Sequence, residues 1–426
     1  MNRAIVGSGQ GAPATGLLAG AAAFVLVFKI PGSILFPGAA LALALVVAPI
    51  VLARLASFAA GRALGMAAVV AVTSGLLLRA TTDPTVGSPG SWGTAVTLVA
   101  WLLAVPAGVG LGWWAKDHLR PDVLVRVVLL GAVLSALLIE RPFVWKGNTG
   151  VYLTLLALAV LPTRSRWATR SVLVCSAVVS AVSDARFMSL IAIIVLVATF
   201  VGDGVRRSVA QRPFLWVLVS VSGLVLLVQS ALLAMRSGLL GSDIAARTIA
   251  QTSGGRSIVE GSRTEWAASL HLFSVQPWGI GLGDVVNGGL AREAIVHVQA
   301  VGGDYTSSYF LVDVFGQRTD LHSVLADLWY HFGVGGLAVA AVIVVVLVRA
   351  LPDALALPVR PAAVALFTMA TGAWDLFFSP MPESDRITLS LLVAALCTSG
   401  YFSGPEPGEH GRSPAQTGLS ARTRRR

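Results

Sequence analysis

Apolar residues dominate the chain in long runs separated by short polar joints, from residue 13 to residue 234 and again from residue 328 to residue 402. Runs of about 17–25 apolar residues are long enough to cross a bilayer as α-helices. Twelve such runs are read at 13–30, 33–53, 63–80, 92–115, 122–139, 148–162, 168–183, 186–202, 214–234, 328–349, 358–378 and 386–402. Backbone polar groups in lipid must be satisfied within the segment, which gives helices. A barrel would show strands of about ten alternating residues instead. The expected fold is therefore all-α, a polytopic integral membrane bundle of about 12 transmembrane helices. The joint Lys29-Ile30-Pro31-Gly32 folds the first two into a tight hairpin. The first run has no signal-peptide cleavage site and is read as an anchor.

One long polar stretch, 235–327, interrupts this pattern. It divides the chain into an N-terminal bundle at 1–234 (helices 1–9), the loop itself with short amphipathic helices at 235–327, three last helices at 328–402, and a disordered basic tail at 403–426.

Composition agrees with a membrane protein. Of the 426 residues, 55% are hydrophobic and 12% charged, about half the charged share of a soluble domain. Mean hydropathy is +0.79. The net charge of +10 does not indicate nucleic acid, because the basic residues lie in the joints and tail, where they set topology. With the N-terminus cytoplasmic, 19 lysines and arginines fall in inside segments and six in short outside joints. Both termini are then cytoplasmic, and the long loop between helices 9 and 10 is extracytoplasmic. Cys175 and Cys397 lie inside apolar runs without metal-ligand spacing or a disulfide framework.

The loop holds most of the candidate chemistry. Ser262-Arg263-Thr264-Glu265 fits a capping box, with Ser262 at the N-cap and Glu265 at N3. Trp266, Leu270 and Phe273 follow at helical spacing, so a short amphipathic helix is expected to start here and end near Pro277. A cation in a first helical turn opposes the helix dipole, which points to an anionic ligand for Arg263; the alternative is an ion pair with Glu260. The run from Pro277 to Gly283, with glycines at 279, 281 and 283, has no strand–helix unit around it and so is no dinucleotide fingerprint. It suits close passage of backbone past a helix or ligand.

Four further positions stand out. His322, at the mouth of the tenth span, can act as a base near neutral pH, or serve as an interfacial or capping histidine. Arg186 opens the eighth span on the outer side, against the charge bias. Its guanidinium fork suits phosphate, while snorkelling or pairing with Asp184 is the alternative. Asp375 sits beside Trp374 in the eleventh span, and an intramembrane carboxylate points to function unless it lies at the interface. Asn148 opens the sixth span. No metal-binding cluster, phosphate-binding glycine loop or nucleophilic serine motif is present in the sequence.

Taken in order and separation, these parts resemble the O-antigen ligase/O-antigen polymerase superfamily of bacterial membrane glycosyltransferases. Gly147-Asn148 ahead of Val151-Tyr152-Leu153 is similar to the family's Asn-containing helix start, and Ser183 to Arg186 to its Ser-Arg helix opening. Arg263 and Trp266 with Pro277, Gly279 and Gly281 resemble its Arg…Trp…Pro-x-x-Gly-x-Gly run. His322 with Leu328, Gly333 and Gly336 resembles its His-Asn…Glu-x-Gly-x-x-Gly helix. Ser323 stands where the family has Asn, His331 where it has Glu, and Phe187 where it has Gly.

The resemblance implies a glycan donor on undecaprenyl diphosphate, a glycan or lipid-glycan acceptor, and inverting transfer without metal or other cofactor. It takes place at the outer face of the cytoplasmic membrane, for cell-surface polysaccharide biosynthesis. Arg186 and Arg263 would hold the diphosphate. His322 would deprotonate or orient the acceptor hydroxyl, with Asn148, Glu265, Trp266, His331 and Asp375 in support. Apart from these glycans the only implied partner is membrane lipid. The competing function class is a polytopic transporter or lipid-linked-oligosaccharide flippase. Against it, no repeat relates the two halves of the chain and charges avoid span interiors.

Overall fold

A computed structural model describes residues 13–28, 38–139, 145, 148–161, 165–183, 185–200, 263–302, 310, 314–316, 319–381 and 385–403, with scattered positions between 222 and 249. The expected hairpin joint at 29–32, most of the ninth span at 214–234, most of the loop to Ser262 and the tail from residue 404 lie outside the described residues. So do the alternative ion-pair partners Asp184 and Glu260.

The chain is all-α. Among the described residues its α-helices with stated bounds are α1 (Pro13–Val25), α2 (Gly38–Val46), α3 (Ala48–Ala56), α4 (Ala59–Thr81), α5 (Trp92–Ala115), α6 (Pro121–Ile139), α7 (Asn148–Val160), α8 (Arg166–Val182), α9 (Arg186–Ala198), α10 (Glu265–Val275), α11 (Gly288–Ala300), α12 (Val324–Ala356), α13 (Val359–Phe378) and α14 (Asp385–Thr398). Every expected span carries helix among its described residues, those at 222, 229 and 233 of the ninth included. Among the described residues five helices, α4, α5, α6, α12 and α13, are long and apolar enough to cross a membrane.

Local chemistry sets several helix boundaries. Ser91, Ser165 and Ser323 cap α5, α8 and α12 by accepting the amides of Thr94, Ala168 and Ala326, each satisfying one orphan N–H of a first turn. Pro121 opens α6, where its missing N–H costs nothing. The expected second span is broken: α2 ends at Val46 and α3 restarts at Ala48. Pro49 in the first turn of α3 explains this, since its ring cannot continue a preceding helix.

Ser262, the expected N-cap of the capping box, lies outside the described residues. Helix α10 starts at Glu265, with Thr264 at its N-cap making no side-chain bond. Glu265 is therefore the first helical residue rather than the third, an acid where the dipole favours one. The expected apolar stripe is also not the packed one. Ala268, Ser269 and Leu272 are buried, while Leu270 and Phe273 are exposed. The boundary expected at 327/328 falls inside α12, which begins at Val324.

Helix α12 is the spine. It packs along α4, α13 and α14 and is interrupted at Gly333, whose φ of 57° and ψ of −138° are not helical. The glycine turn fills that interruption. Ile280 and Gly281 both donate their N–H to the Tyr330 carbonyl, and Leu282 donates to Gly75 of α4. Trp329 Nε1 donates to Pro277 O at 3.0 Å. Arg79 of α4 gives one N–H to Leu282 O and another to Gly90 O, at 2.7 and 2.6 Å, and stands 3.4 Å from the buried carboxylate of Asp284. Two short strands, β1 (Gly87–Ser88) and β2 (Val285–Val286), pair antiparallel beyond the turn. The segment 277–286 is thus sewn between α4, α5 and α12. Beyond it, α10 and α11 share a second small core with Trp329 and Tyr330 of α12.

This seam needs its glycines. A Cβ on Gly279 (φ 97°) would lie 2.5 Å from Trp329 O, and one on Gly333 would lie 2.3 Å from Trp278 O. Backbone on both sides leaves no flexible atom to move. Gly279→Ala and Gly333→Ala are each expected to destabilise the protein by at least about 1–3 kcal/mol, from backbone strain alone. A clear fall in melting temperature in detergent is the measurement. Gly65→Ala, with nothing near its Cβ, should match the parent.

Candidate functional site

Three separate stretches converge on the end of α13, between Trp374 and Ser379. From α9, Phe187, next to Arg186, stacks on Trp374 with ring centroids 5.1 Å apart. From the start of α10, the Arg263 guanidinium stands 6.0 Å from the Trp374 ring and 5.9 Å from that of Phe378. At these distances ring quadrupoles attract a cation. Trp266 Nε1 donates to Phe377 O at 3.2 Å. From the start of α12, Ser323 Oγ donates to Leu376 O at 3.3 Å, which brings His322 to the same end. Asp327, buried in the first turn of α12, accepts the amides of Leu321 and Met381 and so ties the His322 turn to the connection between α13 and α14.

Beneath this rim lies a layer of buried charge. Asp375 and Arg386 form an ion pair at 2.7 Å, with side chains 0% and 3% exposed. Ser379 Oγ adds a bond to Asp375 at 2.8 Å. Beside it, Tyr152 of α7 donates its hydroxyl to Asp385 at 2.5 Å. Asn148, buried at the start of α7, sits one turn from Tyr152 on the same helix. Asp375 is therefore not an isolated carboxylate: it is the acceptor of a clamp between α13 and α14.

His322 has the only positive φ, 54°, outside glycine among the described residues. Its N–H donates to Asp320 Oδ1 at 3.0 Å, and its Nδ1 lies 3.5 Å from the same carboxylate. A strained, half-buried histidine whose Nδ1 lies against the Asp320 carboxylate and carbonyl is an arrangement that orients an imidazole.

Of the residues singled out in the sequence, Arg263, Trp266 and Asp375 meet around the end of α13, where Phe187 and Ser323, the neighbours of Arg186 and His322, also pack; Glu265 is next to Trp266, and Asn148 opens α7. His331 does not join them. It is buried in α12 with its ring nitrogens 3.4 and 3.2 Å from the carbonyls of Gly281 and Thr319, so it holds the glycine seam. Arg386, Asp385, Tyr152, Asp327 and Asp320 are site residues that sequence reasoning misses. The signal for Arg386 and Asp385 is their presence at the mouth of an apolar span, the same signal that marks Arg186.

Among the described residues no group of three or more His, Cys, Asp or Glu could hold a metal ion. Comparison of the chain with family models, curated proteins and solved structures finds no match in any of the three.

Proposed function

We propose that the chain is an O-antigen ligase-like membrane glycosyltransferase. It moves a glycan from an undecaprenyl-diphosphate-linked donor to a glycan or lipid-glycan acceptor at the outer face of the cytoplasmic membrane. In this reading the twelve spans hold, both termini are cytoplasmic, and the loop between helices 9 and 10 is extracytoplasmic. The observation that carries the reading is that Arg263 and the immediate neighbours of Arg186 and His322, namely Phe187 and Ser323, all pack on the end of α13, from three stretches far apart in sequence.

The chemistry follows from residue type. Transfer breaks the bond between the anomeric carbon and the diphosphate oxygen and leaves negative charge to be stabilised on the departing diphosphate. Arg263 and Arg186 supply fixed cations where that charge develops, the placement that lowers a barrier most. His322, oriented through Nδ1 by Asp320, takes the acceptor hydroxyl proton at Nε2 as the oxygen attacks in line and the configuration inverts. The polyprenyl chain lies in the bilayer beside the helices.

One observation favours the transporter reading: a broken helix, here α12 at Gly333, is a device transporters use to bind substrate. In this chain, however, the freed Tyr330 carbonyl already accepts two amides from the glycine turn, so the break is closed by protein. The test is transfer by detergent-solubilised protein, with no sealed compartment, from a lipid-diphosphate-linked glycan. A ladder of products identifies a polymerase, and transfer only to an added acceptor identifies a ligase. Absence of glycan release by folded protein with any acceptor overturns the proposal.

A further inference from the structure

We infer that the second half of the loop is not a solvent-side cap but a re-entrant elbow. On this view the exposed apolar side of α10 and the Pro277–Trp278 turn are seated among the acyl chains of the bilayer. The inference rests on the membrane character of the bundle alone and stands whatever reaction the protein performs.

Depth is fixed by two helices independently. A bilayer core of about 30 Å takes roughly 20 helical residues. Counted from Val348, the last residue before Arg349 on α12, such a span reaches back to Trp329. The turn touches α12 inside that limit: Trp278 O abuts Gly333, and Pro277 O accepts from Trp329. On α4, a span centred between Arg62 and Arg79 ends near Ala80. Gly75, which accepts the Leu282 amide, lies about 7 Å within it at 1.5 Å per residue. Both helices put Pro277–Leu282 below the membrane surface.

The segment satisfies what that depth demands. Irregular backbone inside a bilayer survives only where its polar groups are met by protein. The amides of residues 279–282 go to Gln276, Tyr330 (twice) and Gly75. The carbonyls of Pro277, Ile280 and Leu282 accept from Trp329, Thr82 and Arg79.

Its side chains agree. From Trp266 to Gly283 there is no Asp, Glu, Lys or Arg. Phe273, Val275 and Trp278 are exposed although large and apolar, Trp278 to 65%. On α12, Val334 follows Gly333, which Trp278 O abuts, and is itself exposed on a helix able to cross the membrane. A helix apolar on its free side as well as its packed side belongs in a membrane or a core. With α10's other face already on the loop core, lipid is the remaining apolar solvent.

The test is a depth measurement. With Cys175→Ser and Cys397→Ala as background, a nitroxide is attached at Trp278→Cys in full-length protein reconstituted in phosphatidylethanolamine–phosphatidylglycerol vesicles. Its collision rates with oxygen and with a water-soluble nickel chelate are compared with labels at Val334→Cys and at Arg292→Cys, on the exposed side of α11. The expected label at 278 matches Val334, with nickel access several-fold below Arg292 and oxygen access above it. Nickel access equal to that at Arg292 means a water-facing or partner-facing surface and overturns the inference. Val275→Cys carries the same expectation and decides the matter if the tryptophan replacement impairs folding.

Discussion

His322→Asn is expected to fold as the parent does and to lose transfer by about 10²–10⁴-fold, the range that a positioned general base contributes. Asparagine is the replacement of choice because the backbone at 322 is left-handed, with φ 54°, and asparagine tolerates that region better than alanine does. Arg263→Ala is expected to cost about 10²–10³-fold, as for a preorganised group that stabilises transition-state charge. Arg263→Lys should recover little of it, since an ammonium keeps the charge but loses the planar fork that fits phosphate oxygens and stacks on Trp374 and Phe378. Initial rates with the lipid-diphosphate-linked donor measure all three. Parent-like rates for both His322→Asn and Arg263→Ala would sink the mechanism.

The second large effect is on stability. Arg386→Met leaves the buried Asp375 carboxylate without its ion-pair partner, and removing one partner of a buried pair costs about 3–5 kcal/mol. The double variant Asp375→Leu with Arg386→Met should return most of that, because a well-packed apolar pair escapes the desolvation penalty. Thermal unfolding in detergent reads both. The transfer assay then separates roles: if the double variant is stable and active, the pair is a clamp between α13 and α14. A stable but inactive double variant would place Arg386 or Asp375 in the reaction itself.

Length and apolarity make the spans legible. Trp92–Ala115 and Val359–Phe378 are readable to within a residue, because an uninterrupted apolar run bounded by a serine cap or a proline leaves few alternatives. The second span reads as continuous because Pro49, which permits a helix start, sits inside an unbroken apolar run. The periodicity of α10 marks Trp266, Leu270 and Phe273 as one stripe but not what the stripe faces, since the pattern is the same for a protein core and for lipid. Arg263, Arg186 and His322 stand out by their position against the charge bias or the helix dipole, or at the mouth of a span. The convergence of their stretches on the end of α13, and the partners of Asp375, Tyr152 and Asp284, do not. Those pairings link residues as far as 233 apart, and no local periodicity encodes them.

The stitching of residues 277–286 to α4 and α5 also dictates an order of assembly. Leu282 meets Gly75 and Arg79 across about two hundred intervening residues, so a growing chain makes these bonds only after most of it has been synthesised. Contacts of such separation form late, because closure of the intervening chain must come before the bonds that reward it. A nascent chain that ends before Gln276 therefore holds α4 with Arg79 lacking its acceptor at Leu282 and the groove beside Gly75 unfilled. The turn is seated fully only once α12 has been made as well, because the Tyr330 carbonyl accepts two of its amides.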